Sequence, residues 1–332
     1  MLQTLLSEGR PLLADGATGT NLFEAGLASG ETPELWNDTQ PQKIRALHQA
    51  FVDSGSDIIL TNSFGGNRRR LMLHSLQGRV RELNRLAAEI ARGVADAAGR
   101  RVVVAGSVGP TGDLLAPLGP LTEDEAFEVF CEQIEGLKEG GADVAWIETM
   151  SAPEEIRAAA RAASAVAMPY TATASFDTAG RTMMGLAPAA YAELFDGFET
   201  APLAFGANCG VGASDLLVSV LGMSDRRPEA KIIAKANAGV PQWHGAHIHY
   251  SGTPELMADY ARLAVDAGAS IVGGCCGNKP AHVEAMRRAL DAYSPGERPT
   301  AESIVGALGD LASPLAPENA APRARRRTRE AT

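Results

Sequence analysis

The feature that most constrains this chain is an alternation, eight times over, between short apolar runs and longer segments or loops of helical length. The runs are Pro11-Leu-Leu-Ala-Asp15, Asp57-Ile-Ile-Leu-Thr-Asn62, Arg101-Val-Val-Val-Ala105, Asp143-Val-Ala-Trp-Ile-Glu148, Tyr170-Thr-Ala-Thr-Ala174, Leu203 to Asn208, Lys231-Ile-Ile-Ala-Lys235 and Ser270-Ile-Val-Gly-Gly274. Residues 41 to 55 place Ile44, Leu47 and Phe51 at helical spacing, with Gly55 as a stop. A long helix is expected to follow Arg68-Arg-Arg70 and run to Ala98, the arginines forming a solvated face. Residues 123 to 139 begin with Thr122 as a cap and Glu125 at the capping-box position. Helices are also predicted at 153 to 166, 188 to 197, 254 to 267 and 280 to 292, the last with Pro280 early in its first turn. Eight strand–helix units imply a (β/α)8 TIM barrel in a single domain, residues 1 to 293. From Pro295 the periodicity fades. Residues 294 to 332, with Pro314, Pro317, Pro322 and Arg323-Ala-Arg-Arg-Arg-Thr-Arg329, are expected to be a largely disordered basic tail.

In such a barrel the catalytic residues gather at the C-terminal ends of the strands. Three of the four cysteines fall there: Cys209 in Phe205-Gly-Ala-Asn-Cys-Gly210, and the adjacent pair in Ser270-Ile-Val-Gly-Gly-Cys-Cys-Gly-Asn278. Thiolates are strong zinc ligands, and a three-cysteine site leaves one position open, here for a substrate thiol. Adjacent residues on a regular strand point to opposite faces, so Cys275 and Cys276 reach one ion only where the strand unravels. Gly273, Gly274 and Gly277 permit that bend. The pair also admits two other readings, as buried small hydrophobes or as a strained vicinal disulfide. Cys131, inside the helical pattern Phe127-Glu-Val-Phe-Cys-Glu-Gln-Ile134, is read as core.

Two carboxylates also sit at strand ends. Asp15 opens the loop Asp15-Gly-Ala-Thr-Gly-Thr20, which lacks the lysine and spacing of a phosphate loop. A carboxylate followed by free backbone N–H groups suits the ammonium and carboxylate of an amino acid. Glu148 ends an apolar run, where a charge is held for function. Three histidines in Trp243-His-Gly-Ala-His-Ile-His249 could suggest a metal, but the alternation of His247 and His249 fits the polar face of a hairpin better.

Composition narrows the function classes. A net charge of −10 argues against nucleic acid as a partner. No apolar run reaches the length of a membrane span. The first ten residues lack a signal peptide's basic head and apolar segment, and with only four cysteines a reducing cytoplasm is expected.

Taken together, Asp15-Gly-Ala-Thr-Gly-Thr20, Asn208-Cys209-Gly210, Asn237-Ala-Gly239 and Gly273-Gly-Cys-Cys-Gly277 resemble the zinc-dependent homocysteine S-methyltransferase family, in order, over about residues 8 to 291. The resemblance implies that Cys209, Cys275 and Cys276 ligate one Zn²⁺ per chain and form the catalytic set. It further implies that Asp15 and Glu148 hold the ammonium of L-homocysteine, that the amide around Ala17 faces its carboxylate, and that Asn237 joins the substrate-binding set. The homocysteine thiol, bound as a further ligand, would react as thiolate and yield methionine. Leu35-Trp-Asn-Asp-Thr-Gln-Pro41, Val108-Gly-Pro-Thr-Gly-Asp-Leu114 and Ala145-Trp-Ile-Glu-Thr149 look closest to the homocysteine-binding module of cobalamin-dependent methionine synthase. At that level the donor is methylcobalamin on a separate corrinoid or folate partner protein. The competing expectation is a stand-alone enzyme using betaine or S-methylmethionine. A cationic donor wants an aromatic cage, for which Trp36 and Tyr170 are candidates in a chain only 5% aromatic. Thr149 stands where the betaine enzyme carries an aromatic residue. A non-catalytic zinc- and thiol-binding subunit, and a selenocysteine acceptor, complete the alternatives. The family includes monomers and larger assemblies, so oligomeric state stays open.

Overall fold

The computed structural model describes residues 1–244 and 247–312, and the side chains of these except 241–249. Its frame is a cylinder of eight parallel strands: β1 (Leu12–Leu13), β2 (Ile58–Leu60), β3 (Val103–Val108), β4 (Val144–Met150), β5 (Tyr170–Ala174), β6 (Phe205–Cys209), β7 (Ile232–Ala236) and β8 (Ala269–Gly274). The hydrogen-bonded order is β1-β8-β7-β6-β5-β4-β3-β2. The ends meet where Ala14 bridges Ile58, with Asp57 N donating to Leu13 O at 2.6 Å and Asp15 N to Ile58 O at 3.0 Å. The sheet is therefore a (β/α)8 barrel, as the alternation predicts.

Strands covered on both faces need apolar residues at successive positions, which the Val-, Ile- and Ala-rich runs supply. Alternate residues divide between two cores. Ala14, Leu60, Ala105, Trp146, Ile233 and Ile271 join an interior cluster, while Leu13, Ile59, Val104, Ile147, Ala234 and Val272 pack outward against the helices. The helix Leu2–Ser7 contributes Leu2, Leu5 and Leu6 to the interior cluster and so closes it at the strand-start end. The same two-residue step that builds the interior layers carries on above them. Ser107 follows Ala105, Glu148 follows Trp146, Lys235 follows Ile233 and Gly273 follows Ile271. The barrel thus changes from apolar to polar at its C-terminal end.

Most helices lie where the spacing predicts, and Thr122 and Glu125 form the expected capping box on Glu123–Glu139. Two regions differ. The stretch from Arg68 is two helices, Arg68–Met72 and Val80–Ala97, interrupted at Ser75, whose φ is 58°. Leu71, Val80 and Leu83 form a small cluster of their own, and the intervening turn carries Leu73 and His74 to the barrel mouth. The second correction concerns the tail assigned to 294–332. Ala301–Leu308 is a helix capped by Thr300, with Ile304 and Leu308 buried in the main core. Ser214 Oγ donates to Gly309 O at 2.6 Å, and Ala312 N donates to Asp215 Oδ2 at 3.1 Å. Two inward residues on eight make too short a period to recognise. Residues 313–332, where the basic run falls, lie outside the described residues. The expected hairpin is present in the backbone, Pro241–His244 pairing antiparallel with His247–Tyr250. The side chains of its three histidines lie outside the description.

Candidate active site

Cys209 ends β6, and Cys275 and Cys276 follow β8; β7 lies between those two strands. The three sulfurs lie within 4.8 Å of one another. All four cysteines are free thiols, so Cys275 and Cys276 do not form a vicinal disulfide. Local backbone makes the convergence. Cys209 has a φ of 62°, a left-handed conformation that is costly for a residue with a side chain and is typically found at functional positions. After β8 the chain turns through Gly277, at φ +79°, where an added Cβ would meet Tyr250 Cγ at 2.4 Å. That turn is fixed at its root, since Cys275 N donates to Ala236 O at 2.7 Å and Ala238 N to Cys276 O at 2.9 Å. Asn278 Nδ2 then donates to Ala236 O at 2.9 Å and Cys275 O at 3.1 Å.

Two asparagines support the sulfurs. Asn208 Nδ2 donates to Cys275 Sγ at 3.8 Å and to Thr149 Oγ1 at 2.7 Å. Its Oδ1 accepts from Thr149 N at 2.8 Å and Thr173 Oγ1 at 2.7 Å, tying β4 and β5 to the site. Asn237 Nδ2 donates to Cys209 Sγ at 3.8 Å and to Gly210 O at 2.7 Å. Asn237 Nδ2 thus orients a sulfur and holds the cysteine loop, while its Oδ1 is buried without a hydrogen-bond partner among the described residues. The thiols repel ionisation in one another. Contact with Cys209 is the main cause that raises Cys275. A hydrogen bond with Cys275 acts to lower Cys209, but Cys276 and burial outweigh it and push that thiol up to about 12. A cluster of this kind becomes anionic only with a cation among its sulfurs. Cys131 packs against the core away from them, as expected, its thiol raised to about 11 by burial.

The sulfurs open onto a cavity of about 510 Å³, also lined by Thr18, Thr20, Phe23, Thr61, Phe64, Arg70, His74, Ser107, Glu148, Lys235 and Tyr250. Glu148 is where the sequence places it. It sits at a bulge in β4, where pairing with β5 shifts register and Thr149 adopts a φ of 60°. Its Oε1 accepts from Ser107 Oγ at 2.5 Å. Burial raises its pKa above the ordinary 4.5, while the Lys235 charge opposes that rise. The Asp15 carboxylate is buried and hydrogen-bonded within the barrel. Its Oδ2 accepts from Leu60 N at 2.7 Å and its Oδ1 from Lys235 Nζ at 2.8 Å, so the carboxylate stands behind the lysine. The Ala17 amide is also engaged, donating to Asn278 O at 3.0 Å. The cage candidates fall elsewhere. Trp36 is buried beneath the Lys43 ammonium, and Tyr170 is buried with its hydroxyl donating to Thr200 O at 2.6 Å. Arg70, read as solvated, lines the cavity. Lys235 also lines the cavity, and its signal in the sequence is a lysine inside Ile232-Ile-Ala-Lys-Ala236, a break in a buried strand.

The family model for homocysteine S-methyltransferases matches residues 12–290. The chain belongs to the homocysteine S-methyltransferase family. It is a methyltransferase by that membership. It is 29% identical over 297 residues to methionine synthase of Mycobacterium tuberculosis, an alignment covering 85% of this chain. The chain spans about a quarter of that relative's length, 25%. The fold is that of the metallated homocysteine methyltransferase MmuM from Escherichia coli, with a TM-score of 0.69 and 24% identity over 86% of this chain and 99% of that one. A methyltransferase from Methanosarcina mazei shares the fold more distantly, with a TM-score of 0.51 and 16% identity over 85% of this chain and 93% of that one. Among the described residues, no helix is long and apolar enough to cross a membrane.

A pH prediction arises from Glu148. If its carboxylate meets a substrate ammonium, it must be ionised. Because its pKa is raised, that pairing is lost as pH falls, at a pH above the ordinary 4.5. Asp15, Lys235 and Cys275 are the charged or titratable groups coupled to it. We expect kcat/KM for the acceptor to fall on the acid side with a midpoint above 4.5. Glu148→Gln should raise KM by roughly ten- to a hundredfold and flatten that limb. An unchanged acid limb in the variant would assign it to another group.

Proposed function

We propose that this methyltransferase transfers a methyl group to the thiol of L-homocysteine, giving methionine, with Zn²⁺ held by Cys209, Cys275 and Cys276. The observation that carries the reading is the convergence of three cysteine sulfurs, within 4.8 Å, on a cavity that also holds the buried carboxylate of Glu148. The donor set fits the ion. Three soft ligands leave one tetrahedral position toward the cavity, and the N–H groups of Asn208 and Asn237 supply the outer support that ligating groups require. When bound, Zn²⁺ would lower the pKa of the acceptor thiol so that it is a thiolate near neutral pH. The chain's own residues perform the rest. Glu148 receives the acceptor ammonium and so fixes the distance between the carbon skeleton and the cysteines. Cys209 is held by its loop and Asn237, Cys275 by Asn208, and Cys276 by the bond from Ala238 N. The acceptor sulfur forms its bond to the methyl carbon as the donor–methyl bond breaks, and the donor keeps the electron pair of that bond. Three free thiols opening onto a cavity need a reducing compartment, and we place the protein in the cytoplasm.

We assign the donor as methylcobalamin on a separate partner protein. Support for that donor comes from the resemblance around Trp36, Val108 and Trp146 and from the similarity to a methionine synthase. A second reading, a self-sufficient enzyme using a cationic donor such as betaine or S-methylmethionine, is favoured by Phe23, Phe64 and Tyr250 on the cavity wall. Zinc-supplied protein should be given homocysteine with methylcobalamin, betaine or S-methylmethionine in parallel, and methionine measured. We expect turnover with methylcobalamin alone. Turnover with a free cationic donor would replace the split reading by the second.

A further inference from the structure

Lys235 is only 2% exposed, yet it sits in an otherwise apolar strand. Burying an ammonium is costly unless it is paired. Its side chain points into the barrel, passes over β8 and reaches Asp15 after β1. There Nζ donates to Asp15 Oδ1 at 2.8 Å and, more weakly, to Asp15 O at 3.3 Å. The path exists because β8 offers Gly273: a Cβ there would stand 3.1 Å from Lys235 Cγ and 2.9 Å from Ala14 Cβ. An ammonium carries three N–H donors. Two are directed at Asp15, and Lys235 lines the cavity beside Glu148 and the cysteines.

The two groups suit the two ends of a zwitterion. Glu148 has one oxygen engaged by Ser107 and lines the same cavity. Without Lys235, an amino acid would bring a third carboxylate into a region that already buries Asp15 and Glu148. With it, three carboxylates meet two ammonium groups, and each ammonium lies between anions. We propose that Lys235 is an acceptor-binding residue: its ammonium, braced by Asp15, receives the carboxylate of an amino-acid thiol whose ammonium pairs with Glu148. This rests on the amino-acid-thiol reading of the site and gives the residue that selects the carboxylate.

The test needs no methyl donor. Binding of L-homocysteine and of 3-aminopropane-1-thiol, the same skeleton without its carboxylate, is measured by titration calorimetry on the full chain supplied with zinc. Wild type should prefer homocysteine by about ten- to a hundredfold. Lys235→Met should bring the two affinities close to equality. Because that variant leaves Asp15 buried without its cation, Asp15→Asn/Lys235→Met, which removes both charges, is measured alongside and should also lose the preference. Asp15→Asn alone keeps the lysine and should keep the preference, which a role confined to neutralising Asp15 does not predict. A preference that survives in the double variant overturns the proposal and assigns the carboxylate elsewhere, to Arg70 or the loop amides. Wild-type protein that binds homocysteine without preferring it also overturns it. Wild type that binds neither thiol defeats the acceptor reading itself, and this proposal with it.

Discussion

Replacing Cys276 by alanine is expected to cost the protein its metal and its activity together. Zinc per chain, measured by mass spectrometry after dialysis, should fall from one toward zero, and methionine formation should drop by roughly a thousandfold or more. The magnitude follows from what a metal supplies in such sites, several kcal/mol of stabilisation, where each 1.36 kcal/mol is about tenfold in rate. Removing one of three sulfurs leaves two thiols in a buried pocket with an added opening, and neither Asn208 nor Asn237 can replace a thiolate. The supporting amides make a graded comparison. Asn237→Ala removes the N–H on Cys209 and the bond that holds Gly210, and its loss in metal affinity should be about 10–100-fold. Cys131→Ala, in the helix layer, should retain zinc and turnover. A Cys276→Ala protein that keeps one tightly bound zinc per chain would contradict the three-sulfur site.

The parts of this molecule that a reader of the sequence can find are those with a local signature. Eight apolar runs with helical segments between them point to the barrel because both the strand period and the helix period are short. The cysteines are found because glycines flank them and both segments end strands. What the sequence hides is the company a side chain keeps across the barrel. Asp15 and Lys235 are 220 positions apart, and their pairing depends on Gly273 on a third strand leaving room. Seen alone, Asp15 shows no partner; in the fold its two oxygens accept from Leu60 N and Lys235 Nζ. Asn237 likewise sits in a loop, and only the proximity of β6 and β7 shows its amide N–H groups turned to Cys209 and Gly210. The helix Ala301–Leu308 has little signature in the sequence for a different reason. Its two buried residues acquire meaning only once the helices Ala213–Arg226 and Pro254–Asp266 provide the surface that covers them.

Asp15→Ala should be among the most destabilising single substitutions in the barrel, by about 3–5 kcal/mol, because it leaves the Lys235 ammonium buried without its partner. The pair is 1% and 2% exposed, so only the cavity side of the lysine is open to water in place of the missing carboxylate. The same change removes the acceptor of Leu60 N, beside the seam where β1 meets β2. Against a usual stability of roughly 5–15 kcal/mol for a folded protein, the midpoint of urea unfolding should move far downward. Asp15→Asn keeps an oxygen for Leu60 and should cost less. The decisive quantity is a double-mutant cycle over Asp15→Ala, Lys235→Met and the two combined. Each single change strands one buried charge, whereas the double variant strands none, so the double should be more stable than either single and the coupling should approach about 3 kcal/mol. A coupling below about 1 kcal/mol is the behaviour of a solvated ion pair. That result would mean that water from the cavity reaches the lysine, and that the contact with Asp15 does little to hold β1 against β7.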